Sequence, residues 1–104
     1  MLITTTSAVD GRPVQEYLGV INAQSIIGAN IFKDIFAGLR DVFGGRSKTY
    51  EKVLEQAKED ALRELTQKAQ ALGANGILGV DLDFETVGSG SSMLMVIATG
   101  TAVR

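Results

Sequence analysis

The alternation of apolar and polar positions is sharpest in the last third of the chain. Between Ile77 and Val87, Leu78, Val80, Leu82 and Phe84 fall on one side, and Gly79, Asp81, Asp83 and Glu85 on the other. This period of two predicts a strand with one dry and one wet face. Met93 to Val103 predicts a second long strand. Gly88-Ser89-Gly90-Ser91-Ser92 reads as a flexible connector, so the two strands should form a β-hairpin. The stretch Met93-Leu94-Met95-Val96-Ile97-Ala98 is apolar on both faces. A sheet covered by helices on one side needs only one apolar face, so the spare face calls for a partner. For a domain this small the simplest partner is another copy of the chain.

Upstream the period lengthens to that of a helix. Leu54, Ala57, Ala61, Leu62, Leu65, Ala69 and Leu72 fall on one face of a helix that starts near Ser47 or Thr49 and runs to Leu72, with Gly73 as a left-handed stop. Its other face carries Glu51, Lys52, Glu55, Lys58, Glu59, Arg63, Glu64 and Lys68, with Glu59/Arg63 and Glu64/Lys68 spaced as i,i+4 pairs. An earlier, very apolar helix is expected after the cap residue Asn30. Ile31, Ile35, Leu39 and Val42 recur with Phe32, Phe36 and Phe43 up to the breaker Gly44-Gly45. The first third reads as short strands around Ile3 to Thr6 and Gln15 to Ile27, punctuated by Asp10-Gly11-Arg12-Pro13. Strands, two helices and a hairpin make a two-layer α+β fold, an antiparallel sheet packed by two helices, in a single domain over residues 1–104.

Composition narrows the chemistry more than it narrows the fold. Apolar residues make up 45% and charged residues 21%, a globular balance, and a net charge of -2 gives no field to attract nucleic acid or an anionic membrane. Nucleic-acid and membrane partners are therefore not expected. The chain has no Cys and no His. Ser/His/Asp and Cys/His nucleophilic machinery and zinc sites built from Cys or His are thereby excluded. Met1 to Thr6 lacks a basic start and an apolar stretch, and Met93 to Ala98 is far short of the roughly 18 to 20 residues of a span, so a cytoplasmic location is expected.

Two sets of residues could carry a ligand. Gly44, Gly45, Arg46 and Ser47 stand at the start of the long helix, where free N–H groups, the helix dipole and Arg46 suit a phosphate or carboxylate. The same residues serve equally as a helix–helix turn capped by Ser47. Asp81, Asp83 and Glu85 share one strand face and offer the oxygen ligands that hard divalent cations prefer. Neighbours on that face are about 6.5 to 7 Å apart, so they converge on one ion only with help from another strand or subunit. Otherwise they form a solvated or cation-paired face. Met93 and Met95 read as core or interface filler, and Tyr17 and Tyr50 as lone aromatics.

Several stretches together resemble a known family. Arg40-Asp41-Val42-Phe43-Gly44-Gly45-Arg46-Ser47, Tyr50-Glu51, Leu72-Gly73-Ala74-Asn75-Gly76, Gly79-Val80-Asp81-Leu82-Asp83-Phe84-Glu85, Met93-Leu94-Met95-Val96 and Gly100-Thr101-Ala102-Val103 occur in the order found in the YbjQ-like family of small bacterial proteins. The likeness runs from Thr4 to Val103. That family is also described as heavy-metal-binding, and its function is largely uncharacterised. The resemblance implies a dodecin-like subunit in a ring-forming homo-oligomer, most simply a homopentamer. Without Cys or His, the metal description carries over only toward a carboxylate-bound cation.

The leading expectation is a non-enzymatic homo-oligomer that binds a small anion or a divalent cation at its subunit interfaces. The alternatives are a carboxylate- and metal-dependent hydrolase, which needs a carboxylate in a pocket that shifts its pKa, and a purely structural scaffold ring.

Overall fold

The structure, a computed structural model, describes residues 1–28, 48–91 and 93–104. The apolar helix expected over 31–43 and the turn Gly44 to Ser47 lie outside them. Along the chain come β1 (Leu2–Ile3), β2 (Tyr17–Ile27), α1 (Lys48–Ala71), β3 (Gly76–Val87), a 3₁₀ turn (Ser89–Ser91) and β4 (Met93–Val103). Four strands form one sheet in the order β1-β3-β4-β2.

The fold is α+β, with one correction to the expected antiparallel sheet under two helices: the sheet is mixed. β3/β4 and β4/β2 are antiparallel, but β1 runs parallel to β3, with Leu2 opposite Gly76 and Ile3 opposite Ile77. Two residues carry no signal of direction, which is why the sequence pattern does not show it. Of the two expected helices, α1 falls on described residues and the other lies outside them.

α1 forms where the period of 3.6 predicts, and its apolar stripe lies on the sheet. Ala57, Ala61, Leu65 and Ala69 are buried there against Ala23, Val96, Ala98 and Ala102. Alanines on both sides let helix and sheet approach closely, and Leu65, Ile77 and Val96 are the largest fully buried side chains. The helix ends in a Schellman motif. Gly73, at φ 83°, donates to the Gln70 carbonyl (2.9 Å), and Ala74 donates to the Ala69 carbonyl (3.0 Å). The Arg104 Nε adds a hydrogen bond to the Gly73 carbonyl (3.1 Å). Because the helix stops at Ala71, Leu72 falls beyond the stripe and stays 47% exposed, against the burial its spacing suggested.

The charged face also departs from its expected pairing. Arg63 turns to Asp60 (2.9 Å) and Lys58 to Glu55 (2.9 Å), both one turn back at i,i+3. Lys68 instead reaches across to the carbonyl of Asn22 on the edge strand β2 (2.7 Å). A lysine spent there satisfies an edge carbonyl that a strand from another chain could otherwise engage.

A β-bulge sets the registry of the site. Leu78 pairs with Thr101 and Asp81 with Thr99, so Gly79 and Val80 together oppose Gly100. Gly79 sits at φ 61°, the left-handed conformation that this bulge requires and that glycine adopts without strain. The N–H groups that the bulge withdraws from β4 find the N-terminal segment instead. Gly79 donates to the Thr6 carbonyl (2.9 Å) and Val80 to the Thr4 carbonyl (3.0 Å). The bulge breaks the simple alternation of the sequence, because it moves Leu78 onto the same face as Asp81, Asp83 and Glu85.

Candidate functional site

The pairing registers define the face of the sheet turned away from α1. Across β2, β4 and β3 its rows are Val20, Thr101 and Leu78; Asn22, Thr99 and Asp81; Gln24, Ile97 and Asp83; then Ile26, Met95 and Glu85. A last pair, Met93 and Val87, closes it. The central strand thus contributes an apolar strip of Met93, Met95 and Ile97, each half-buried. β2 adds Val20, 78% exposed, and Ile26, 56% exposed. β3 adds the three carboxylates as a ridge along one side.

This face is where the sequence placed both its spare apolar surface and its acidic residues, and the two prove to be one surface. Asp81 and Asp83 lie close enough for their carboxyl groups to interact directly. Asp83 is raised above its ordinary 3.8, chiefly by the negative charge of Asp81, then by the hydrogen bond that protonated Asp83 donates to the Asp81 carboxylate, by desolvation, and last by the charge of Glu85. Such a pair of carboxylates is relieved by a proton or by a cation. Among the described residues, however, no group of three His, Cys, Asp or Glu side chains converges closely enough to hold a metal ion. The trio Asp81, Asp83 and Glu85 shares a face without forming a closed ligand set in one copy of the chain. Gly44, Gly45, Arg46 and Ser47 lie outside the described residues.

The sequence pattern did not point to a second feature, at the far end of the same face. The loop from Thr4 to Glu16 must cross the sheet from β1 on one side to β2 on the other. Beneath it Leu78 and Val103 are buried, each 6% exposed, around a cleft of about 330 Å³ bordered by Arg12, Gln15, Asn75 and Arg104. The β3/β4 pairing sets Asn75 beside Arg104 and the crossover brings Arg12 to them, and the one local signal was a cation inside the turn Asp10-Gly11-Arg12-Pro13.

Among the described residues, a mixed four-stranded sheet with one face under α1 and the other largely uncovered, edged by paired carboxylates, defines a small α+β protein with an unspent apolar and acidic surface. Comparison with known sequences then places it: the chain belongs to the YbjQ family, whose profile, described as "Putative heavy-metal-binding", matches residues 1–104. Two UPF0145 proteins of Caulobacter vibrioides, from strains NA1000 / CB15N and ATCC 19089 / CIP 103742 / CB 15, are each 59% identical over 103 residues, covering 99% of this chain and 98% of theirs. A crystal structure from Pediococcus pentosaceus, of a protein of unknown function in the DUF74 family, superposes with a TM-score of 0.65 at 21% identity. It covers 99% of this chain and 95% of that one, and at this identity the likeness is one of fold.

The family description meets a donor set made of oxygens. With neither Cys nor His in the chain, the carboxylates suit a hard divalent cation better than a soft heavy metal. In one copy, moreover, they stop short of a complete site.

Proposed function

We propose that the protein is a non-enzymatic homo-oligomer, a cytoplasmic ring of five copies, that holds a divalent cation between subunits through Asp81 and Asp83, with Glu85 alongside. The observation that carries this reading is the coincidence of the exposed apolar strip and the carboxylate pair on one open face. Burying Val20, Ile26, Met95 and Ile97 against a neighbour brings that pair into the same contact, where a second copy can supply the missing ligands.

The exposed side chains on β2 support the need for a partner: Val20 is 78% and Ile26 56% exposed beside the half-buried Met95 and Ile97. The number five rests on the family resemblance alone.

Native mass spectrometry on protein purified without chelator tests both halves of the proposal. A multiple of the subunit mass carrying a reproducible metal increment is the expected spectrum. A bare multimer removes the cation and leaves a scaffold ring. A bare monomer at micromolar concentration removes the assembly as well. In calorimetry, Asp81→Asn combined with Asp83→Asn should abolish magnesium or manganese binding, and unchanged binding would sink the proposed site.

A further inference from the structure

We propose that the cleft beneath the crossing loop binds a small organic monoanion, a carboxylate with a short apolar tail. Among the described residues the cleft is lined by two arginines and by no acidic residue, in a chain whose net charge is -2. Its two arginines are not equivalent. The Arg104 guanidinium is already engaged, through Nε with the Gly73 carbonyl (3.1 Å) and through Nη1 with the Glu16 carboxylate (3.6 Å). Arg12 has no ion pair or side-chain hydrogen bond among the described residues, and the side-chain amides of Gln15 and Asn75 are likewise unengaged there. One free guanidinium and two free amides, all bordering one hollow, offer a full set of donors and a single uncompensated positive charge.

That charge count selects the ligand class. A carboxylate accepts a bidentate pair from one guanidinium and needs one positive charge. A phosphate dianion would draw on Arg104 as well, which Glu16 already neutralises. Below the donors, Leu78 and Val103 form an apolar floor, and both are turned onto this side of the sheet, Leu78 by the bulge at Gly79. A volume of about 330 Å³ is at the small end of ligand sites.

Arg12 and Asn75 also border a second hollow shared with Met1, Leu2, Gln70 and Ala74. That hollow lacks the floor of Leu78 and Val103, so the cleft over those two residues is the side that fits an acid with an apolar tail. The inference uses residues at the opposite end of the face from the acidic ridge and stands or falls separately from the cation proposal.

Saturation-transfer NMR with butyrate, and with butan-1-ol as its uncharged counterpart, reads the binding directly in an assembly of any size. Butyrate should give a saturable signal that butan-1-ol does not, and inorganic phosphate should displace it poorly. Arg12→Ala should weaken butyrate binding about 10-fold or more, and Arg12→Lys should restore part of it. Arg12 is exposed and packs no core, so an unchanged circular dichroism spectrum will show that the variant is folded. Equal signals from butyrate and butan-1-ol, displacement by phosphate as effective as by butyrate itself, or full binding by Arg12→Ala would each overturn the proposal.

Discussion

Gly100 and Gly79 face each other across β4 and β3, and each is glycine for a different reason. A Cβ on Gly100 would lie 2.6 Å from the Ile77 Cγ2 and 3.3 Å from both the Val80 Cγ2 and the Leu78 carbonyl, in the packed interior. On Gly79 a Cβ would meet nothing within 4 Å, and only the backbone at φ 61° resists it. Gly100→Ala should therefore cost about 1–3 kcal/mol through overpacking, and Gly79→Ala about 1 kcal/mol through backbone strain. Urea denaturation at fixed protomer concentration checks the order of the two. The carboxylate pair makes a prediction of opposite sign. Because Asp83 is raised above 3.8 in the folded chain, the folded state holds more protons than the unfolded one just above that pH. Stability should thus increase as pH falls through the Asp83 pKa toward 3.8, and the pair is a destabilising feature at neutral pH. Asp81→Asn removes the largest cause of the shift. With chelator present it should raise the melting temperature at pH 7, by a margin that closes on acidification below 3.8. A lower melting temperature at pH 7 would show that the two carboxylates do not repel.

Among the elements, those with a strong period were legible in the sequence. α1, β3 and β4 begin and end within a few residues of where spacing placed them, though the dry side expected for β3 holds only in part, since Leu78 lies on the other face and Phe84 is 49% exposed. The Gly73 stop was legible for the same local reason. Apart from the local choice of Asp60 over Glu59 by Arg63, what failed depended on contacts distant in sequence. Lys68 left its expected partner Glu64 for a carbonyl on β2, 46 residues away. The bulge was hidden because Gly79 fits an alternating pattern as a small residue on the wet side, and only pairing with Gly100 reveals that two residues oppose one. The acidic ridge was legible because its three members alternate along one strand, whereas the Arg12 cleft was not, since its residues come from a loop, a helix–strand turn and the last residue of β4's extension. The helix–sheet interface tests the legible part. Leu65 is fully buried among alanines, whose short side chains have little slack with which to fill a void. Leu65→Ala should cost about 3–5 kcal/mol, toward the upper end for such truncations, as read by the urea midpoint with an unchanged denaturant slope.

At the scale of the whole molecule, one face of the sheet is spent on α1 and the other carries its charges at two ends. The acidic ridge lies along β3 from Asp81 to Glu85, and the arginines border the cleft below Leu78. Across β4, on the edge strand β2, Val20 and Ile26 present apolar side chains that make no contribution to the core of a lone subunit. If a second copy covers them, each contributes about 1.5 kcal/mol or more on burial. Replacing both with lysine removes that gain and adds two charges that would have to be desolvated in the contact. Val20→Lys with Ile26→Lys should accordingly weaken association on the order of 100-fold or more, and sedimentation at micromolar concentration should show subunit-sized species. The helical circular dichroism signal should survive, because Ile21, Ala23 and Ile27, which alternate with the replaced positions, hold β2 to α1 and β4 on the other face. An assembly of unchanged mass in the double variant would mean that copies of the chain meet elsewhere, and that the carboxylate pair beside this strip faces solvent and not a neighbour.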